Sequence, residues 1–241
     1  MASMLGRPHR RTHTFGEEES GRALDRLVAF SDGVFAIAMT LLVLNLTVPT
    51  LTGSTDHVNE DLWQHLGDQW PELFGYALSF TVIGRYWLVH HRLFRLVRRV
   101  DSSVLVWNLL LLGFIALIPW PTEMLGRYGD TTAAVVAYSA VLCATGFSSF
   151  GLSRHIYHAG LIDPRVTEGY KRNSLVRAFV IPIGFAIGIP VAFVDPIAGM
   201  YAWWISIFTF SFIMRRHFGP DVNEPYPADE SRGSQGPAGA T

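Results

Sequence analysis

Six side chains that can hydrogen-bond or ionise lie inside long apolar stretches of the sequence, where such groups are rare. They are Ser31, Asp32, Arg85, His90, His91 and Asn108. A carboxylate at the centre of a membrane helix costs about 2.5–3.5 kcal/mol on insertion scales, so such a residue faces the protein interior and finds a partner there. Two kinds of chemistry fit this set: a hydrogen-bonded clamp between helices, or a site that relays protons or binds cations.

Counting along the helices places three of these side chains at about the same depth. Asp32 lies about 9 Å inside its helix at 1.5 Å per residue, and Arg85 and Asn108 fall at a similar level on two later helices. Other candidates close by are Trp87, His90, His91 and Trp107. We therefore predict an interhelical clamp in which Asp32 pairs with Arg85 or Asn108. A proton relay or cation site that uses Asp32 and one of the two histidines is the alternative.

Enzymatic chemistry fits the sequence poorly. Ser31 beside Asp32 has no nucleophile-elbow glycine pattern and no evident third member of a catalytic group, so an intramembrane hydrolase is disfavoured. Cys143 is the only cysteine, which excludes an intrachain disulfide and a cysteine-based metal site. The formal net charge of -1 gives no reason to expect nucleic-acid binding. We predict a protein that is not an enzyme and that has no cofactor.

The helices that position these side chains read as membrane spans. Hydrophobic residues make up 49% of the 241 residues and charged residues only 16%, and no Lys or Arg occurs between Arg26 and Arg85. Windows of about 20 apolar residues are long enough to cross a hydrocarbon core of about 30 Å. We predict an all-α integral membrane protein with six transmembrane helices, in the windows 26–48, 71–94, 102–120, 131–154, 174–194 and 196–214.

Domain organisation follows from where the apolar windows stop. Residues 25–216 form the predicted transmembrane domain, and the polar segments 1–24 and 217–241 read as disordered arms. Pro182 and Pro190 predict a kink in the fifth helix. Between the first two spans, residues 58–70 fit either a short amphipathic surface helix or a loop.

Arginine and lysine mark one side of the predicted membrane domain. They cluster in residues 7–26, 92–99, 154–177 and 215–216, whereas the opposite side carries only Arg127. Positive residues favour the cytoplasmic side, so both termini are predicted to be cytoplasmic, in a multi-pass protein of the cell membrane.

A regular apolar stripe lies on the first helix, away from the polar pair. Ile37, Leu41 and Leu44 fall within about 40° of one another, with Thr40 at the edge, whereas Ser31 and Asp32 point about 120–140° away. Such a stripe is ordinarily a packing seam between helices. The sequence has no carbonyl filter of the TVGYG type and no acidic ring at the outer mouth that would mark another pore.

Three segments resemble a known family. Arg26, Phe30, Ser31 and Asp32 match the R-x-x-x-F-S-D signature of the transmembrane protein 175 family of potassium-permeable channels. The segments YWLVHHRLF (86–94) and WNLLLLGFIALIPWP (107–121) are similar to its second and third helices. The chain contains one six-helix repeat, as the bacterial members do, and those members assemble as tetramers.

The resemblance implies a function and assigns the stripe to a pore. In that family the first helix of each subunit lines the pore, and apolar residues after the signature form the constriction. On this chain these are Ile37, Leu41 and Leu44, with the Thr40 hydroxyl beside them. The resemblance therefore implies a homotetrameric cation channel selective for potassium over sodium. The alternative is a proton- or cation-coupled secondary transporter that uses the buried Asp, Arg and His groups, although inverted repeats are not visible.

Overall fold

The computed structural model describes residues 14–48, 58–203, 205 and 225–226, except for the side chains of residues 14–20 and 181. Within these ranges the chain is helical, which confirms the all-α class. The helices are α1 (Thr14–Leu41), α2 (Val58–Asp68), α3 (Trp70–Phe94), α4 (Ser102–Leu117), α5 (Pro119–Tyr128), α6 (Thr132–His158) and α7 (Glu168–Ala192). A 3₁₀ turn, Leu42–Asn45, extends α1, and residues 196–203 are helical after α7.

Four helical segments in the described part of the chain are long and apolar enough to cross a membrane. They are Gly21–Asn45, Ser102–Tyr128, Thr132–His158 and Glu168–Ala192. Helix α3 has 25 residues, the same length as α7, but it carries Arg85, His90 and His91 and is not one of these four segments. Most of the predicted sixth span, 196–214, lies outside the described residues. The count of six spans therefore stays a prediction.

Parts of both predicted arms are described by the structure. Helix α1 begins at Thr14, inside the segment 1–24 that was predicted to be disordered. Three glutamates at positions 17–19 fall near its start, where negative charge favours helix formation. In the predicted C-terminal arm, Pro225 and Tyr226 are described and Tyr226 packs against the core.

The structure adds detail to two predicted segments, the third span and residues 58–70. The third span is broken at Ile118, because Pro119 and Pro121 lack the amide hydrogens that would continue α4, and α5 starts with Pro119. Residues 58–68 form α2, with Glu60 and Asp61 in its first turn, so the helical alternative for this segment is the correct one.

Close packing of α6 on α7 and α4 depends on glycine. An added Cβ at Gly146 would lie 2.7 Å from the Pro182 ring, and one at Gly151 would lie 2.5 Å from the Trp107 ring. Small residues allow helices to approach in this way inside a membrane. Helix α7 continues as one helix through Pro182 and Pro190.

The links α3–α4 and α6–α7 lie together at one end of the bundle. Val97 and Ile162 form an isolated antiparallel bridge, and the Arg98 guanidinium pairs with the Asp163 carboxylate. Asp101 caps α4 by accepting the amide hydrogen of Val104 (2.8 Å), and its carboxylate also contacts the His155 ring (2.8 Å). The arginine-bearing segments 92–99 and 154–165 therefore share one end, as the charge pattern predicts.

Candidate functional site

Helix α1 has one face buried against the bundle. Its inward residues, spaced three and four apart, are Leu27, Ser31, Phe35, Ala38 and Leu42, each at most 8% exposed. This spacing is the repeat of one face of an α-helix. Both α3 and α4 pack against this face. The rotation of α1 is therefore set by a buried stripe that contains a single polar side chain, Ser31.

Asn108 on α4 connects α3 to α1 through a chain of buried hydrogen bonds. Its carbonyl Oδ1 lies 2.9 Å from His90 Nε2, and its amide Nδ2 donates to Ser31 Oγ at 3.0 Å. The Ser31 hydroxyl donates in turn to the Leu27 carbonyl oxygen at 2.8 Å. Because Asn108 Oδ1 can only accept, His90 must carry its proton on Nε2. The three helices are joined by donors that all point the same way.

Aromatic rings surround the histidine of this chain. His90 is 3% exposed, and its ring lies 4.3 Å from the Phe94 ring and 5.5 Å from the Phe35 ring, centroid to centroid. His90 Nδ1 is buried and has no hydrogen-bond partner in the described part of the chain. This arrangement orients the histidine by packing on one side and by Asn108 on the other.

Asp32 has a different partner from the two that the sequence suggested. Its Oδ1 accepts a hydrogen bond from the indole nitrogen of Trp87 at 2.8 Å. Arg85 lies on the exposed side of α3, and Asn108 is engaged by His90 and Ser31. The prediction that Asp32 pairs with Arg85 or Asn108 is therefore wrong, because the rotation of α3 turns Trp87 toward α1 and Arg85 away from it.

The other predicted residues take part neither in the His90–Asn108–Ser31 hydrogen bonds nor in the Trp87–Asp32 hydrogen bond. The His91 ring stacks on Trp87 at 5.5 Å, between centroids. Trp107 turns toward Gly151 of α6 and so lies away from Asp32. Arg26 and Phe30 of the signature are exposed, on the side of α1 that does not contact the bundle.

The predicted constriction residues form the free side of α1. Ile37 is 60% exposed, Leu41 41% and Leu44 71%. Thr40 is also exposed, and its hydroxyl donates to the Ile37 carbonyl oxygen at 2.9 Å, so the hydroxyl oxygen can still accept a hydrogen bond. The exposed stripe and the buried polar contacts thus occupy different faces of one helix.

The described hydrogen bonds of these side chains join helices to one another, and none of them connects Asp32 to His90. Asp32 and His90 bond to different partners, and the Trp87 indole between α3 and Asp32 does not titrate in water. Ser31 is buried and its oxygen is engaged twice, so it is not an available nucleophile. No group of three or more His, Cys, Asp or Glu side chains in the described ranges could hold a metal ion.

Sequence reasoning missed Trp87 as the donor to Asp32, although the residue was noted nearby. The signal was available in its chemistry, because an indole N–H at membrane depth needs an acceptor. It also missed the two phenylalanine rings that hold His90. Those contacts depend on side-chain packing between helices, which no local pattern reports.

Comparisons with known proteins agree with the resemblance. The family model described as "Endosomal/lysosomal potassium channel TMEM175" matches residues 26–119. A potassium channel of Streptomyces collinus (strain DSM 40733 / Tue 365) is 41% identical over 182 residues, which are 73% of this chain and 84% of that protein. The endosomal/lysosomal proton channel TMEM175 of Mus musculus is 36% identical over 163 residues, 64% of this chain and 33% of that longer protein.

A solved structure is similar over most of both chains. The crystal structure of a lysosomal potassium-selective channel TMEM175 homolog from Chamaesiphon minutus matches with a TM-score of 0.65 and 26% sequence identity. The match covers 80% of this chain and 99% of that chain. Similarity in sequence and in fold therefore points to the same group of proteins.

Proposed function

This chain belongs to the TMEM175 family, and on that premise we propose that it is a potassium channel that prefers potassium to sodium. The single observation that carries the proposal is the division of α1 into two faces. One face is tethered to α3 and α4 by Ser31 and Asp32, and the other presents Ile37, Leu41 and Leu44 to the outside of the subunit. A helix held in this way can offer the same apolar face to a central axis in every subunit.

Membership of a channel family confirms the prediction that the chain is not an enzyme. It also supports potassium as the permeating ion, since the relative from Streptomyces collinus is named a potassium channel. No cofactor is part of the proposal.

Four copies of the chain complete the pore in this proposal. One α1 helix cannot enclose an aqueous path, and most homo-oligomers have closed rotational symmetry. Four α1 helices around one axis would bring the Ile37, Leu41 and Leu44 side chains together as stacked apolar rings. The exposed fractions of these side chains in the single subunit support such a contact surface.

An apolar ring selects between cations through their hydration. The ring offers no oxygen ligands, so a passing ion must lose or compress part of its water shell, and a narrow dry ring can also close by dewetting. Sodium holds its water more tightly than potassium, so the penalty falls harder on sodium. The Thr40 hydroxyl oxygen, whose hydrogen is donated to the Ile37 carbonyl, would be available to a passing ion in place of a water oxygen.

Orientation is the remaining part of the proposal. The arginine-bearing end of the bundle, with the links α3–α4 and α6–α7, faces the cytoplasm of a cell membrane, as the distribution of positive charge favours. Both termini then lie on the cytoplasmic side.

Ion flux through the purified protein in liposomes tests the function. Potassium and sodium flux are compared for the unchanged protein, for Ile37→Asn and for Leu109→Asn. Leu109 is an apolar residue of α4 that is 56% exposed and lies off the α1 stripe. We expect Ile37→Asn to raise the resting flux severalfold and to reduce discrimination between the two ions, because amide dipoles lower the dehydration penalty. Leu109→Asn should leave the resting flux and the discrimination between potassium and sodium unchanged.

Two results would contradict the proposal. If Ile37→Asn assembles correctly and has unchanged flux and selectivity, the stripe is a packing surface. If potassium flux requires a counter-substrate or a proton gradient, the protein is a coupled transporter.

A further inference from the structure

A short piece of the C-terminal region is seated on the arginine-bearing end of the bundle. The Pro225 carbonyl oxygen accepts a hydrogen bond from the Thr167 amide at 3.1 Å, just before α7 begins. The next residue, Tyr226, is half-buried against the core, and the Arg165 guanidinium carbon lies 5.3 Å from its ring centroid. Two consecutive residues thus make a main-chain contact and a side-chain contact with the same link.

Ion pairs and hydrogen bonds hold the surface on which Tyr226 lies. Asp163 is buried, and its carboxylate accepts from Arg165 Nε at 3.2 Å and from Arg165 Nη2 at 3.0 Å. The same carboxylate pairs with Arg98 from the α3–α4 link. The Arg165 side chain, its backbone amide and Arg98 hold the pKa of Asp163 well below its usual range. The Asp163 carboxylate therefore stays ionised in mild acid and keeps the Arg165 guanidinium paired beside the tyrosine ring.

The charges of the C-terminal segment and of the surface around Tyr226 are largely opposite in sign. Residues 221–230, DVNEPYPADE, contain four acidic residues and no basic residue. The end of the bundle around the site carries exposed arginines from both links and from the start of α7, namely Arg95, Arg98, Arg99, Arg165 and Arg172. Opposite charges attract on such a surface, and salt screens the attraction.

We propose that the α6–α7 link is a binding site for an acidic Pro-Tyr segment, and that its occupant is the chain's own segment 221–230. We name this segment the C-terminal strap. Thr167 and Arg165 form the site, Pro225 and Tyr226 are the anchors, and the acidic neighbours supply long-range attraction. Through Pro225 and Tyr226 the strap fastens the C-terminal region to the α6–α7 link, which Arg98 and Asp163 join to the α3–α4 link.

The test uses a fluorescent peptide with the sequence of residues 221–230 and the full-length protein in uncharged detergent micelles. In the unchanged protein the strap occupies the site at a high local concentration. Tyr226→Ala removes the anchor of the strap, so the strap no longer competes with the added peptide for the site. We therefore expect this variant to bind the peptide about tenfold more tightly than the unchanged protein does. Tyr226→Phe is the matched control, because it keeps the ring and should behave like the unchanged protein.

A second change locates the site. Adding Arg165→Gln to Tyr226→Ala should weaken peptide binding about fivefold, because the cation over the ring is lost. Arg172→Gln on the same background removes an equal charge away from the ring, and its smaller effect should vanish in high salt. A peptide in which the tyrosine is alanine should bind none of the variants.

Three outcomes would overturn the proposal, each in a variant that keeps its assembled size on gel filtration. The first is equal peptide binding by the unchanged protein and by Tyr226→Ala. The second is binding that Arg165→Gln and Arg172→Gln weaken equally at every salt concentration. The third is no peptide binding by Tyr226→Ala, with binding instead to vesicles of anionic phospholipid, which would make this surface a lipid contact. None of these readouts depends on ion conduction.

Discussion

The hydrogen bond between His90 and Asn108 should be measurable as a coupling energy. The perturbation is a double-mutant cycle with His90→Phe, Asn108→Leu and the two together. Phenylalanine keeps a ring between Phe35 and Phe94, and leucine keeps the approximate size of asparagine. Each single change leaves the other partner buried without its hydrogen bond.

The structure sets the size of the expected effect. Both side chains are nearly inaccessible, 3% for His90 and 0% for Asn108. An orphaned buried polar group costs about 1–3 kcal/mol, whereas hydrogen bonds in membrane proteins average about 0.6 and reach about 1.7 kcal/mol. We expect each single change to cost about 2 kcal/mol. The double change removes both partners of the hydrogen bond, so neither is left orphaned. It should therefore cost about 1 kcal/mol less than the sum of the costs of the two single changes.

The assay is equilibrium unfolding in mixed micelles with increasing SDS, followed by circular dichroism. Thr131→Ala serves as the control. Thr131 caps the start of α6, and the Asn108–Ser31 contact is far from it along the bundle, so its effect should add to that of Asn108→Leu within about 0.5 kcal/mol. A coupling energy near zero between His90 and Asn108, with the control also additive, would refute the hydrogen-bond chain.

Three further predictions follow from the same structure. Chemical cross-linking in mild detergent should yield four linked subunits, and an active monomer would contradict the proposed assembly. Asp32→Ala should lower the stability of the assembly by a few kcal/mol because it orphans the Trp87 indole, and Trp87→Phe should recover part of that loss in SDS unfolding. Because the amide of Val104 lowers the pKa of Asp101, the stabilisation by this cap is complete above about pH 4 and is lost as pH falls through the lowered pKa. Asp101→Asn should flatten the loss of stability in acid, and an unchanged acid profile would count against the cap.

Much of the architecture was predictable because it depends on local patterns. Apolar length identified four helical segments that are long enough to cross a membrane. The distribution of charge identified the end of the bundle that the α3–α4 and α6–α7 links share, where Arg98 pairs with Asp163. The exposed position of Ile37 relative to Ser31 followed from the 100° turn per residue of a helix. These properties belong to single segments and need no knowledge of their neighbours. The family resemblance, and not periodicity, supplied the pore assignment of the stripe.

What only the tertiary structure decided is which side chain meets which. Depth along the membrane placed Asp32, Arg85, Trp87 and Asn108 at one level, but the partner of Asp32 depends on how far α3 is rotated about its axis. A rotation of one residue changes the facing side chain by about 100°, and the packing of α3 on α5 and α1 sets that rotation. The position of Tyr226 depends likewise on its contact with Arg165, a residue distant in sequence. Such pairings are set by the packed core as a whole, so no segment of the sequence reports them alone.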